Sequence, residues 1–146
     1  MGTVVSVNIS ERRGTTKHPV AEIRLVPGHG IVGDAHAGDW HRQVSLLAQE
    51  SVDTMRGLGL ALSAGDFAEN INTEGIELKT LPVGTLLAAG DALLEVTQIG
   101  KECHSDCEIR RRTGRCVMPT EGIFAKVVRG GTVRAGDAVT VWEGTV

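Results

Sequence analysis

A short stretch near the C-terminal third of the chain holds all three cysteines, Cys103, Cys107 and Cys116. The same stretch carries an imidazole and five cations, namely His104, Lys101, Arg110, Arg111, Arg112 and Arg115. Adjacent positive charge stabilises the thiolate over the thiol, and the thiolate is the form that attacks sulfur or binds a metal ion. The stretch therefore predicts a reactive cysteine; inert cysteines beside solvated arginines are the alternative.

The cysteines also bear on metal binding and redox state. Cys103, His104, Cys107 and Cys116 supply enough sulfur and nitrogen ligands for zinc, although the spacing differs from the common Cys-x2-Cys knuckle. An odd number of clustered cysteines is unlike the even framework of a disulfide-stapled secreted domain, so reduced thiols are expected.

A second group of chemically useful side chains lies in the glycine-rich stretch 30–47, just before an apolar run. His36, His41 and Arg42 are its candidate ligand-binding residues. Glycines let the backbone approach a ligand closely, and imidazole and guanidinium groups can receive a phosphate or a pterin-like ring. The alternative is that the two histidines are ordinary surface residues.

A third candidate is the pair Glu69 and Asn70, which stands between apolar neighbours in the stretch 64–71. Buried polar side chains must find hydrogen-bond partners. The pair is therefore expected either to tie strands together or to hydrogen-bond a heterocyclic ligand.

The elements that position these residues are predicted to be mostly short β-strands. The chain has 19 glycines, two Phe, two Trp and no Tyr, so turns are frequent and the core is built from Val, Ile, Leu and Ala. Strands are predicted at Val4–Ile9 and Ala21–Val26, with a flexible loop over 11–19 between them. Closure into a barrel is the economical way to hide the edges of so many short strands.

The tripeptide Ala-Gly-Asp occurs four times, beginning at Ala37, Ala64, Ala89 and Ala135. The last two copies lead into the apolar runs Leu93–Thr97 and Val139–Trp142. Gly-Asp supplies the positive φ and the side-chain acceptor that reversals between strands need, so these copies are interpreted as turns rather than as a duplication.

Helical spacing is confined to Leu46–Met55, where a helix ending near Gly57 and Gly59 is predicted. The run 121–128 is interpreted either as a second short helix or as a buried strand. Neither a βαβ rhythm nor a glycine-rich phosphate loop is present, which makes a parallel nucleotide-binding sheet improbable.

Length, charge and hydropathy narrow the class of protein further. The 146 residues fit one domain, 1–146, and the balance of 41% hydrophobic and 23% charged residues is typical of a folded globular chain. A net charge of -3 provides no global attraction for nucleic acid or anionic membrane. No segment approaches the apolar length of a membrane span, so the expected location is the cytoplasm, with no nucleic-acid or membrane partner.

Several motifs, read in order over nearly the whole chain, resemble the MOSC domain, which is named for the C-terminal part of molybdenum-cofactor sulfurases, and specifically its small stand-alone members. The residues that carry the resemblance are 33–38 with 41–46, 65–71, 81–84, 100–104, 116–119 and 122–127. The resemblance implies a mostly β, MOSC-type barrel with one or two short helices.

The resemblance also implies a function, which is to handle molybdenum cofactor or sulfur. A cysteine would carry sulfur as a persulfide or bind molybdenum through its sulfur; Cys107 is the first choice, Cys103 the second and Cys116 the third. The expected ligand is an anionic molybdopterin, and the expected partners are cofactor-biosynthesis proteins or molybdoenzymes. Pyridoxal phosphate binding is a further association at the level of the family. The residues expected to bind the cofactor are His36, His41, Arg42, Glu69, Asn70, Lys101, Arg110 and Arg111.

Two other functions stay open. One is a molybdenum-dependent reductase of N-hydroxylated compounds, as some relatives are, so that the chain would be an oxidoreductase rather than a sulfur transferase. The other is a non-catalytic adaptor for molybdoenzyme maturation, in which the cysteines and His104 are structural and bind zinc or no metal.

Overall fold

The computed structural model of the chain describes residues 2–12, 16–56, 65, 69–99 and 122–142. Eleven strands, one α-helix and one 3₁₀ helix lie in these ranges. The elements are β1 Gly2–Ile9, β2 His18–Val20, β3 Ile23–Val26, β4 Gly30–Ile31, β5 Val44–Ala48, α1 Gln49–Arg56, β6 Ile71–Glu74, the 3₁₀ helix Leu78–Thr80, β7 Leu86–Ala89, β8 Ala92–Ile99, β9 Ile123–Arg129, β10 Gly131–Val133 and β11 Ala138–Trp142.

Seven strands close into a barrel in the order β1, β6, β5, β9, β8, β7, β11, since β11 pairs back onto β1. The pairing of β5 with β6 is parallel, and every other neighbouring pair in the barrel is antiparallel. Each of the seven strands thus has a hydrogen-bonded neighbour on both sides, so closure removes the free edges. The predicted mostly β, barrel-like fold is confirmed.

Two smaller pairings complete the described architecture. The end of β1 pairs with β2, and β10, β3 and β4 form a separate three-stranded sheet. Val, Ile, Leu and Ala fill the interior, as the composition predicts. Fully buried members of this core include Val7, Leu46, Ile71, Leu94 and Ile123. Burial alternates along the first half of β1 and along β3, as the two-residue period of a β-strand predicts.

The predicted strands Val4–Ile9 and Ala21–Val26 correspond to β1 and β3, and the apolar runs after the last two Ala-Gly-Asp copies form β8 and β11. The run 121–128, left open between helix and strand, contains β9 from Ile123 onward. Part of the segment predicted as a flexible loop, 11–19, belongs to β2, which begins at His18.

The predicted helix Leu46–Met55 begins too early. Residues Leu46, Leu47 and Ala48 form the end of β5, and α1 begins at Gln49. Leu46 and Leu47 point to opposite faces of the strand, yet both are fully buried. A strand buried on both faces has a continuous apolar run instead of an alternating one, so periodicity alone does not distinguish it from a buried helix.

Two Ala-Gly-Asp copies form the predicted turns. Gly90, between β7 and β8, has φ +55°, and Gly136, between β10 and β11, has φ +95°. The Gly136 N–H donates to the Val4 carbonyl at 2.7 Å, and the Val4 N–H donates to the Asp137 carbonyl at 2.8 Å, so this turn holds the start of β1.

In the described part of the chain, no helix has the length and apolar character needed to cross a bilayer.

The turn at Gly90 gives a test of the fold. A Cβ added there would lie 2.6 Å from the Asp137 Oδ2 atom and 2.9 Å from the Thr132 carbonyl oxygen. The carboxylate has little freedom to move, because it accepts the Arg134 N–H at 2.8 Å. Gly90→Ala should therefore lower the free energy of unfolding by at least about 2 kcal/mol, combining left-handed strain with overpacking. Urea denaturation measures this change.

Gly28→Ala is the matched control. Gly28 has φ +74°, but nothing lies within 4 Å of a Cβ added to it. Only backbone strain applies there, so the expected loss is about 1 kcal/mol. Equal losses for the two variants would contradict the close packing of Gly90 against Thr132 and Asp137.

Candidate functional site

The loop of residues 32–43, between β4 and β5, carries three of the predicted ligand-binding side chains. Its anchor is Asp34, whose side chain is fully buried. The Asp34 Oδ1 atom accepts the Ser10 N–H at 3.1 Å, and its Oδ2 atom accepts the His36 N–H at 3.1 Å. The carboxylate therefore joins the end of β1 to the start of this loop.

Lys17 is the cationic partner of Asp34, and its side chain is also fully buried. The Lys17 Nζ atom lies 2.7 Å from the Asp34 Oδ1 atom, 3.1 Å from the Ser10 Oγ atom and 3.0 Å from the His36 Nδ1 atom. A lysine is almost never fully buried unless it is paired. This ion pair fixes the base of the loop and sets the environment of His36.

Trp40 links the predicted residues of the loop. Its ring is stacked with the His36 ring at a centroid distance of 6.4 Å and meets the His41 ring edge-on at 5.8 Å. Its indole N–H donates to the His36 carbonyl at 2.7 Å. The Arg42 Cζ atom lies 5.7 Å from the centroid of the Trp40 ring. His36, His41 and Arg42 are thus brought together around one indole, and we call these four residues the loop cluster.

Arg42 also contacts the barrel. Its Cζ atom lies 5.5 Å from the centroid of the Phe124 ring, so the guanidinium group stands close to two aromatic rings. Its Nε atom is buried and has no hydrogen-bond partner within the part of the chain that the structure describes. A buried N–H donor without a partner is rare and needs an acceptor. The loop cluster therefore offers a cationic donor that suits an anionic group.

His41 fastens the loop cluster to the end of β8. Its Nε2 atom lies 3.0 Å from the Gln98 Oε1 atom, and its carbonyl accepts the Thr97 hydroxyl. Gln98 is paired with Phe124, and Ile99 with Ile123, across β8 and β9. The loop cluster therefore lies against the place where these two strands end.

The cysteine-containing stretch joins β8 to β9 at this same place, because β8 ends at Ile99 and β9 begins at Ile123. The predicted thiols Cys103, Cys107 and Cys116 lie outside the described residues, as do Lys101, Arg110 and Arg111. The chain connectivity alone attaches these residues to the strand ends that His41 and Arg42 contact.

An open pocket of about 580 Å³ adjoins the loop cluster. Its lining includes Trp40, His41, Thr97, Glu95 and Lys126. Lys126 and Glu95 lie 4.0 Å apart in a partly exposed ion pair, so the lining of the pocket carries both signs of charge. No group of three or more His, Cys, Asp or Glu within residues 2–12, 16–56, 65, 69–99 and 122–142 is arranged to hold a metal ion.

The other two predicted residues, Glu69 and Asn70, are fully buried in a separate polar network. The Asn70 Oδ1 atom accepts the Ser45 N–H at 2.9 Å, and the Asn70 amide donates to the Asn8 carbonyl at 3.1 Å. The Glu69 carboxylate accepts the Asn72 amide at 2.6 Å. Of the two roles left open for Asn70, these contacts support the one that ties strands together.

Comparisons with known proteins agree with this architecture. The YuaD protein of Bacillus subtilis superposes with a TM-score of 0.76 at 18% identity, over 95% of this chain and 94% of that one. YiiM from Geobacillus stearothermophilus gives 0.73 at 19% identity, over 98% of this chain and 76% of that one. YiiM from Escherichia coli gives 0.69 at 20%, over 99% and 71%. At such identities the likeness shows a shared fold. No curated protein matches the chain in sequence.

A family model described as the MOSC domain matches residues 33–140, which is well over half of the 146 residues. The chain belongs to the MOSC family. MOSC proteins are associated with molybdenum-cofactor systems. The matched range contains the whole loop cluster, the pair Glu69 and Asn70, and the cysteine-containing stretch.

Ser10 and Lys17 precede the range that matches the MOSC domain. Sequence reasoning also missed both residues, because they stand in a polar stretch with no apolar period. The contact partner of Lys17, Asp34, is 17 residues away, and only the fold brings the two together. An isolated lysine in a polar stretch gives no signal of burial, so no pattern in the sequence points to it.

Asn70 provides a test of the buried network. Its removal leaves the Ser45 N–H and the Asn8 carbonyl without this side-chain partner. Asn70→Ala should lower the free energy of unfolding by about 2–4 kcal/mol, because each buried polar group that loses its partner costs about 1–3 kcal/mol. Thr140→Ala, in the half-exposed part of β11, is the control and should change stability by less than about 0.5 kcal/mol. A loss below 1 kcal/mol for Asn70→Ala would contradict the network.

Proposed function

We propose that this MOSC protein handles molybdenum cofactor or sulfur, with the thiol of Cys107 as its working group and the loop cluster as its anion-binding surface. One observation supports this assignment above the others: the loop cluster contacts the ends of β8 and β9, between which the cysteine-containing stretch is inserted. The soft thiolate, which would carry sulfur or bind the metal, and the cationic donors, which would bind a hard anion, then come from different residues attached to one end of the barrel.

The donor set fits a molybdopterin-type ligand, whose phosphate needs N–H donors and whose ring needs a flat contact. Arg42 supplies a buried Nε donor without a partner among the described residues. Trp40 supplies an indole face within the same cluster. In this proposal His36, His41 and Arg42 bind the anionic group, while Lys101, Arg110 and Arg111 add positive charge from the cysteine-containing stretch.

When bound, the cofactor would supply a molybdenum centre for sulfur or oxygen-atom chemistry. The role of the protein is to hold and orient the ligand and to keep a thiol ionised near it. For sulfur carriage, the Cys107 thiolate attacks the outer sulfur of a donor persulfide; a new S–S bond forms, the S–S bond of the donor breaks, and the donor leaves as a thiolate. The transfer involves no net oxidation. The partners in this proposal are cofactor-biosynthesis proteins or molybdoenzymes.

The thiol assignment is tested by replacing each cysteine in turn with serine. Cys107→Ser should abolish the sulfur that cyanide releases from protein incubated with a persulfide donor, whereas Cys103→Ser and Cys116→Ser should retain most of it. The comparison is matched because each variant removes one sulfur from the same stretch. Full sulfur loading of the Cys107→Ser variant would overturn the assignment.

Elemental analysis of the native protein separates a carrier from a molybdenum-dependent reductase of N-hydroxylated compounds. A sulfur carrier should hold cyanide-labile sulfur on its thiol. Stoichiometric, tightly held molybdenum together with reduction of an N-hydroxylated substrate would instead assign the protein to the reductase class.

Arg42 tests the anion-binding surface. Arg42→Met removes the buried donor but keeps an apolar side chain between the two rings, so affinity for molybdopterin should fall about 10–100-fold, the effect of losing one or two charge-assisted hydrogen bonds. Arg134→Met is the control, because Arg134 is exposed and its carboxylate partner is the exposed Glu22 at 3.4 Å. Equilibrium dialysis measures both affinities. Equal affinities would remove Arg42 from the proposed surface.

A further inference from the structure

Lys17 lies against one of the two ring nitrogens of His36. The Lys17 Nζ atom lies 3.0 Å from the His36 Nδ1 atom. Lys17 is also 2.7 Å from the Asp34 Oδ1 atom, with both side chains fully buried, so lysine and aspartate form an ion pair. An ammonium group has three donors and no acceptor. The His36 Nδ1 atom must therefore be the acceptor of this contact.

Asp34 does not compete for the same ring nitrogen. Its Oδ2 atom lies 3.9 Å from the His36 Nδ1 atom, beyond hydrogen-bond distance, and it accepts the backbone N–H of His36 instead. Asp34 and Lys17 therefore contact different parts of His36. The carboxylate accepts the backbone N–H, and the ammonium donates to the lone pair of the Nδ1 atom.

We propose that Lys17 is a positioning residue that fixes neutral His36 as the tautomer with its hydrogen on Nε2. In that state the ring of His36 offers an anionic ligand a donor, the Nε2–H, and offers a metal ion no lone pair. The ligand part of this inference rests on the function proposed above. The tautomer stands on the contacts of Lys17 alone.

The arrangement is opposite to that of a metal-binding histidine. A histidine that ligates a metal through one ring nitrogen almost always donates the other N–H to a carboxylate or a carbonyl. Here the second nitrogen faces an ammonium group, which cannot accept a hydrogen. Metal binding at Nε2 would require a hydrogen on Nδ1 and would break the contact with Lys17.

Lys17 is not arranged as a general base for Ser10. The Ser10 Oγ atom is 3.1 Å from the Lys17 Nζ atom, and the Ser10 hydroxyl donates to the Arg12 carbonyl at 3.2 Å. Since the ammonium donates to Ser10 and is held by Asp34, it has no lone pair to remove a hydrogen. Orientation of His36 is the role that these contacts support.

Long-range ¹H–¹⁵N NMR of the full-length wild-type protein tests the tautomer directly, because protonated and unprotonated ring nitrogens have well-separated ¹⁵N frequencies. His36→Gln assigns the signals of His36. The expected spectrum at neutral pH shows Nε2 protonated and Nδ1 as an acceptor. A spectrum with the hydrogen on Nδ1, or with both nitrogens protonated, would overturn the inference. Neither outcome depends on cofactor binding.

Lys17→Met tests whether Lys17 sets the tautomer of His36. The variant should lose the pure Nε2–H state and show a mixture of tautomers, while Lys79→Met, at an exposed lysine in the 3₁₀ helix, should keep the wild-type spectrum. If Lys17→Met does not fold, the double variant Lys17→Met with Asp34→Asn takes its place, because it removes both charges of the buried ion pair. An unchanged His36 spectrum in either Lys17 variant would show that Lys17 does not set the tautomer.

Titration with inorganic phosphate and with Zn²⁺ tests the ligand class. Phosphate should shift the Nε2–H signal of His36 in the wild-type protein. Phosphate affinity, measured by equilibrium dialysis, should be retained in His36→Gln, whose amide can donate from the same position, and should fall in His36→Ala. Zn²⁺ should leave the Nε2 signal in place. Coordination of Zn²⁺ by Nε2, or no response to phosphate, would overturn the anion-donor role. Failure of the Cys107 test with the NMR result intact would remove the proposed function only.

Discussion

The buried ion pair between Lys17 and Asp34 is the contact on which the loop cluster depends. Removing two charges from water carries a large desolvation penalty, which an ion pair offsets only with good geometry and further hydrogen bonds. Asp34 receives such bonds from two backbone N–H groups, and Lys17 gives one to Ser10. The pair is therefore better understood as a device that fixes a conformation than as a source of net stability. It gives a loop without regular structure one defined position beside the barrel.

The barrel determines where that position lies. Loop residue His41 is held at the end of β8, and Arg42 packs on Phe124 of β9. The same two strands carry the cysteine-containing stretch between them. The proposed anion-binding groups from one part of the sequence and the cysteine-containing stretch from another are thus attached to one end of a closed sheet. Functional residues commonly lie on the connections between the strands of a rigid sheet, because connections tolerate the polar and strained backbone that a core excludes.

Local patterns predicted much of this from the sequence. Short β-branched runs gave β1, β3, β8 and β11, and Gly-Asp predicted the turn at Gly90. The predicted helix was wrong at its start, because Leu46 and Leu47 belong to a strand that is buried on both faces. Lys17 escaped prediction for a related reason: its burial comes from a partner that only the tertiary fold supplies. Residue types thus indicated His36, His41 and Arg42, but not the contact that orients them.

Intact mass measurement of the native protein under non-denaturing conditions tests whether it holds sulfur or molybdenum cofactor. The expected species is heavier than the bare chain by one sulfur atom or by a molybdenum-pterin ligand. In the sulfur-loaded form, a reductant should remove the alkyl group from Cys107 together with the outer sulfur, and cyanide should remove the extra mass. A mass equal to the bare chain after incubation with both a persulfide donor and molybdenum cofactor, with all three cysteines equally alkylated, would contradict it.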